Sequence, residues 1–355
     1  MAVARWTVVV AASLGLGWLF TRWGVPAAWI LAAIICSAAM ALGTGKELKL
    51  AAFPYTLARG LIGMLAALPM SVAAGGELLR FLPPGLFVSI LTVVVGILGG
   101  MLLHRAQPRA ISWETGILSM LPGGASMMPM LAAELGADYR YVSLTQYLRL
   151  LVVSFSLPLV TALMVLPGDR GGAGGFGQPS HTWWVILLVV AIALVGGPVA
   201  KKLRIPAPYI FGPMLLTVAV GLALPDGTTL APIEPLQIFA FLAIGWICGG
   251  SLSVDALKAF AKQLPATIGF IAALMAVCAL SAWPLVWWLN ITYFEAYLAT
   301  TPGALETVLA LAAEGGATAA VVAVQLIRII FVLGIASYLP QLLNLGRGWK
   351  RRHGR

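Results

Sequence analysis

Stretches of roughly 17 to 25 consecutive apolar residues recur along the whole chain, each long enough as a helix to cross a hydrocarbon core about 30 Å thick. The runs are continuous instead of alternating apolar with polar, which predicts helices and argues against barrel strands. Ten spans emerge, over about residues 7–20, 27–43, 56–74, 86–103 and 142–166, and again over 183–199, 207–224, 236–252, 266–289 and 320–343. Two more apolar stretches, about 116–136 and 296–316, are interrupted near their middles at Pro122-Gly123 and Pro302-Gly303. The pattern alone leaves open whether these two cross the bilayer or enter it and return.

The two sets of five spans are related in sequence at an offset of about 180 residues. VPAAWILAAI from Val25 aligns with IPAPYIFGPM from Ile205, placing Pro26 on Pro206 and Trp29 on Tyr209. The stretch from Met120 to Leu151 aligns with that from Thr300 to Ile330, with one gap. Pro122-Gly123 then meets Pro302-Gly303, Glu134 meets Glu314, and Gln146 and Arg149 meet Gln325 and Arg328. Pro, Glu, Gln and Arg are uncommon in so apolar a chain, so shared hydrophobicity does not explain the match. Between the halves, the Gly-rich stretch from Gly168 to Pro179 has no apolar period and reads as a flexible linker. The chain therefore divides into a first membrane repeat over 1–167, a linker over 168–180, a second membrane repeat over 181–346 and a basic cytoplasmic tail over 347–355. The N-terminal stretch from Met1 to Phe20, with one early Arg5, has the outline of a signal peptide. A segment of the same kind opens the second half, so it is read as a retained span.

Composition agrees with lipid as the solvent: 61% of the 355 residues are hydrophobic, 10% are charged, and the mean hydropathy is +0.97. The net charge of +10 would raise nucleic acid as a partner in a soluble protein, but its placement follows the topology of a membrane protein. If both Pro-Gly segments re-enter, 17 of the 22 basic residues face the cytoplasm: Arg5, Lys46, Lys49, Arg59, Arg105, Arg109, Arg140, Lys201, Lys202, Arg204, Lys258, Lys262, Arg347, Lys350, Arg351, Arg352 and Arg355. Arg22, Arg80 and Arg170 fall outside, and Arg149 and Arg328 lie within spans. Crossing would move the loops at Lys201 and Lys258 outside and weaken this asymmetry, so re-entry is expected. With five spans per half the second half starts on the opposite face, and the halves become inverted repeats. The expectation is an all-α, multi-pass protein of the bacterial inner membrane, both termini cytoplasmic, in contact with lipid and not with nucleic acid.

Candidate chemistry gathers at the two breaks. Pro122, Gly123, Gly124 and Ser126 in the first, and Pro302, Gly303, Glu306 and Thr307 in the second, free backbone groups that in lipid must be buried in protein or line a watery cavity. Read structurally, each is a kink packed against its neighbours; matched in inverted halves, the pair reads as a binding site. Arg149 lies about eight residues, or about 12 Å, inside its span, and Arg328 reaches the same depth from the other face. Gln146 and Gln325 share their helix faces one turn earlier. Midplane guanidinium groups suit a carboxylate or phosphate ligand, the structural alternative being pairs with Glu134 or Glu314. Glu306 occupies the place that Ser126 has in the first break, which makes it the candidate for coupling to a proton or sodium ion; a salt bridge to Arg328 is the plain alternative. Glu134 and Glu314, near segment ends, read as solvated carboxylates. Cys36, Cys248 and Cys278 read as small buried residues, and His104, His181 and His353 lie far apart at membrane edges. No metal-ligand spacing, nucleophile-base arrangement or Walker loop is present, so neither cofactor nor enzymatic activity is expected.

The segment ELGADYRYVSLTQYLRLL, Glu134 to Leu151, with MLPGG upstream and PGALET in the second half, resembles the AbrB-type bacterial membrane proteins with an internal duplication. The resemblance covers nearly the whole chain. Members of that family carry labels such as ammonia monooxygenase or AbrB-family regulator, neither of which finds metal ligands or a DNA-binding module here. The layout is also similar to elevator transporters with paired re-entrant hairpins, a likeness of fold only. Together these readings lead to the expectation of a secondary transporter of a small organic anion, ion-coupled or facilitative, with a homodimer as one assembly open to it. A membrane-embedded regulator acting through a partner is the alternative, and a membrane oxidoreductase a more distant one.

Overall fold

Lipid offers peptide groups no hydrogen-bond partners, so long apolar runs must satisfy their backbone internally. The computed structural model describes residues 2–25, 27–72, 79–108, 111–122, 127–164, 182–205, 207–224, 229–251, 264–332 and 334–335, and among these the backbone forms helices and no strand. In the first half lie α1 (Ala2–Arg22), α2 (Ala28–Thr44), α3 (Ala52–Val72), α4 (Leu82–Ala106), α5 (Trp113–Met120), α6 (Met127–Glu134) and α7 (Tyr139–Thr161). In the second lie α8 (Trp183–Lys202), α9 (Pro208–Gly221), α10 (Glu234–Gly250), α11 (Leu264–Leu289), α12 (Tyr293–Thr300), α13 (Leu305–Glu314) and α14 (Ala319–Val332). Each of the ten expected spans coincides with a helix where it is described; residues 336–343 of the last lie outside the described residues. Each expected Pro-Gly segment is a pair of short helices, α5 with α6 and α12 with α13.

Stretches within α1, α4, α7, α8 and α11 are long and apolar enough to cross a membrane, whereas α2, α9, α10 and α14 are shorter apolar helices. Large apolar side chains remain on the outer surface, among them Trp18, Leu102, Trp183, Leu222 and Trp287. Such a surface suits lipid, not water. The linker at 168–180 and the tail at 347–355, together with Pro26 and Pro206, fall outside the described residues.

Helices from the two halves interleave. The helix α2 packs on α1 and α10, and α3 packs on α8, α9 and α10, forming one block. The second block has α4 on α5, both α5 and α6 on α7, and α11 on α4, α7 and α12. Lipid supplies no hydrophobic force between helices, so close backbone approach has to hold them. At Gly100 of α4 a Cβ would sit 2.5 Å from Ile117 Cα of α5, which only glycine tolerates. The blocks meet where α13 packs on α3 and α10, and where α7 packs on α2 and α10.

In the second half Thr292 and Glu295 form a capping box at the start of α12, and Glu295 Oε1 also accepts from the Thr318 amide just before α14, at 2.7 Å. In the first half the Asp138 amide, at the N-cap of α7, donates to Thr115 Oγ1 in the first turn of α5 at 3.0 Å. The first turn of the first short helix in each pair thus lies beside the start of the long helix that follows the pair.

Candidate functional site

A helix that stops in mid-depth leaves its last carbonyls without partners, and in an apolar interior they need donors. Gln146 and Arg149 supply them at the end of α5. The Gln146 amide nitrogen donates to the carbonyls of Leu118, Ser119 and Leu121 at 2.8, 3.3 and 2.8 Å. Arg149 Nη1 donates to Leu121 at 3.1 Å, and its Nη2 donates to Gln146 Oε1 at 2.8 Å.

The same arrangement holds the end of α12. The Gln325 amide donates to Leu298, Ala299 and Thr301 at 2.7, 3.4 and 3.2 Å, and Arg328 Nη1 donates to Thr300 and Thr301 at 3.3 and 2.7 Å. Arg328 Nη2 completes it by donating to Gln325 Oε1. Each positive guanidinium lies at the negative end of a short helix dipole. All four side chains are buried. The Gln-x-x-Arg side chains are turned onto the helix-end carbonyls and onto each other, and neither arginine is paired with Glu134, Glu306 or Glu314.

At the first break Pro122 is half-buried, while Gly123, Gly124 and Ser126 lie outside the described residues. At the second, Pro302 is buried and Gly303 lies so close to α7 that a Cβ would stand 3.4 Å from Val153 Cγ1 and 3.1 Å from Val308 Cγ2. From Gly303 the chain turns into α13, whose N-cap Ala304 offers no side-chain cap. The first amides of α13 therefore point out of the break, with the positive end of the helix dipole behind them.

A cavity of about 590 Å³ opens there, where the two blocks meet, bounded by α7, α10, the start of α3 and the start of α13. Ala304, Glu306 and Thr307 line it from the break. Thr307 Oγ1 lies 3.4 Å from Cys248 Sγ of α10 and 3.5 Å from Ser154 Oγ of α7, so one hydroxyl touches both neighbouring helices. Glu306 Oε1 pairs with Arg59 Nη2 at 3.1 Å, both side chains being about four-fifths buried. The expected alternative partner, Arg328, is engaged at the end of α12 instead.

Arg59 is the functional candidate that reading the chain missed. It was counted with the basic loop at Lys46 and Lys49, but α3 begins at Ala52 and carries Arg59 two turns inside. Its guanidinium carbon sits 5.1 Å from the Tyr55 ring and 5.4 Å from that of Tyr209 in α9. The signal was present: Leu57, Ala58, Gly60 and Leu61 make Arg59 an arginine within an apolar run, as Arg149 is.

The two expected solvated glutamates differ. Glu134 is exposed, as expected. Glu314 is not: its Oε1 accepts from the Trp29 amide in the first turn of α2 at 3.0 Å, and its Oε2 is shut off from solvent without a hydrogen-bond partner. The physical reason is long-range, because the start of α2 has no side-chain cap of its own. His104 is tied through Nδ1 to the Ile111 carbonyl at 2.8 Å, and among the described residues no group of three His, Cys, Asp or Glu is placed to hold a metal ion.

A family model described as transition state regulatory protein AbrB matches residues 39–344 of this chain. Among curated relatives, a protein of Escherichia coli (strain K12) named as a regulator, AbrB, is 32% identical over 342 residues, covering 94% of each chain. A protein of Bacillus subtilis (strain 168), YhjN, is 26% identical over 368 residues, covering 96% of this chain and 94% of its own.

Proposed function

The chain belongs to the AbrB family, and from that premise we propose that it is a secondary transporter of a small organic anion, built from two inverted repeats in the bacterial inner membrane. The observation that carries this reading is the cavity between the two blocks, walled on one side by the second break. About 590 Å³ falls within the range of small-molecule sites, roughly 300–1,000 Å³. Uncapped amides at the start of a half-helix, next to polar side chains at mid-depth, are what such transporters present to an anionic group.

The paired broken segments act as re-entrant hairpins, each returning to the face it came from. Their return is supported by the Thr318–Glu295 and Asp138–Thr115 bonds at their bases. Gln146, Arg149, Gln325 and Arg328 hold the breaks open and contribute to the substrate site indirectly, by fixing where the half-helices end. Thr307 and the amides of α13 touch the substrate, and Glu306 carries the coupling ion. Inverted halves allow the cavity to open to one face and then the other as the blocks shift. The family's regulator label supports a second reading, a membrane-embedded sensor, in which the same cavity binds a ligand without moving it.

Uptake into proteoliposomes, screened over radiolabelled carboxylates, amino acids and phosphates with and without an imposed pH or sodium gradient, separates the two. Accumulation of any of these above the level of empty vesicles supports transport. Binding to the protein without accumulation would favour the sensor.

A further inference from the structure

Most of the polar groups within the helices are committed to backbone: the two Gln-x-x-Arg sets hold carbonyls, and Glu295 and Glu314 cap helix starts. Among the described residues the Arg59–Glu306 pair holds no backbone group. Its two members are also held differently. The guanidinium is flanked by the rings of Tyr55 and Tyr209, which fix its position whether or not a carboxylate is beside it. Glu306 is in the first turn of α13, its side chain 22% exposed, and lines the cavity, while Arg59 stands behind it. A buried ion pair is weak evidence for stability, since desolvation offsets most of the attraction. What this one offers is a fixed cation carrying an exchangeable anion at the wall of a cavity.

We infer that Glu306 is an internal stand-in for a substrate carboxylate, and that Arg59 is the group that receives the substrate. This rests on the transport reading above. A carboxylate entering the cavity takes the place of Glu306 on Arg59, and Glu306, displaced among apolar walls, takes up a proton from the same side. Charge balances in both states: Arg59 with ionised Glu306 before, Arg59 with the substrate carboxylate and neutral Glu306 after. A site that is neutral empty and neutral loaded avoids carrying net charge through the bilayer interior, which is the costly event. The cargo is then a carboxylate plus a proton, moved without net charge. Tyr55, Tyr147, Leu144, Leu151, Ile244 and Ile247 line the cavity, so the cargo is a monocarboxylate with a small apolar or aromatic body. The other ionisable groups about Glu306 are Tyr55 on α3, Tyr209 on α9 and Cys248 on α10, with Arg140 of α7 and Glu47 elsewhere in the cavity wall.

The test is calorimetric titration of the purified full chain with benzoate, isovalerate and pyruvate, in buffers of different ionisation enthalpy so that protons are counted. At least one of these should bind the unmodified protein with uptake of a single proton. E306Q should bind it more tightly, by about tenfold or more because the internal competitor is gone, and with no proton uptake. R59Q strands a buried carboxylate and is expected to unfold easily, so the decisive variant is R59Q/E306Q, which removes both charges. It should fold and bind none of the three. Binding by R59Q/E306Q as tight as by E306Q would overturn the inference, as would unchanged proton uptake in E306Q or failure of all three anions to bind E306Q at millimolar concentration. Any of these while the unmodified protein accumulates a solute removes this assignment alone; no accumulation of any solute by the unmodified protein removes the transport reading itself.

Discussion

Replacing Gln146 by Met keeps the length and apolar volume of the side chain but removes the amide that holds the end of α5. Two of its three carbonyl bonds, to Leu118 and Leu121, are short at 2.8 Å. Hydrogen bonds between membrane helices are worth on the order of 0.6 kcal/mol each and reach about 1.7, so these two account for about 1–3 kcal/mol. The substitution also takes the acceptor from Arg149 Nη2, leaving a charged buried donor unpaired, at a cost of about 1–3 kcal/mol more. The expected destabilisation is therefore about 2–6 kcal/mol, read from reversible unfolding in mixed micelles of increasing SDS fraction. Gln325→Met should lose a comparable amount, since Gln325 makes the matching bonds at the end of α12. A loss below about 0.5 kcal/mol, the usual size of a surface change, would refute the view that these side chains hold the breaks. An arginine that bound substrate directly predicts the opposite pattern for Arg149→Ala, with affinity lost and stability kept.

Glu314→Ala should cost about 1–3 kcal/mol in the same assay, because it strands the Trp29 amide at the start of α2, whereas Glu314→Gln keeps an acceptor and should cost much less. Equal losses for the two variants would show that the amide finds another partner. A single cysteine placed in the 168–179 linker should react with an impermeant reagent from outside, and one replacing Lys201 should not. The reverse result would sink the inverted topology and the re-entrant path with it.

Much of the architecture was legible along the chain because lipid imposes a simple rule, a helix for every long apolar run, and because the duplication repeats uncommon residues at matched places. Gln146, Arg149, Gln325 and Arg328 were found for that reason. Their partners were not, since a sequence reports a charge at depth but not which way it turns, and the carbonyls that need them exist only once α5 and α12 are known to stop. Arg59 was hidden by its nearness to a basic loop: with the span drawn from residue 56 it fell near the membrane edge, and with α3 starting at Ala52 it lies about 10 Å inside the helix. Glu314 was misread because its partner, Trp29, is 285 residues away in the other half.

The central claim is that the cavity at the second break is reached alternately from the two faces of the membrane. Cys248 stands in its wall beside Thr307, and the other cysteines are Cys36 and Cys278, so replacing those two by Ala leaves a single native reporter. The measurement is conversion of that Cys248 to a mixed disulfide by a membrane-impermeant thiosulfonate, with release of the sulfinate, the reagent being added separately to each face of oriented vesicles. A transporter with this site predicts modification from both faces, in each case losing solute accumulation in step with labelling. Modification from one face only, under every gradient and solute tried, would contradict it.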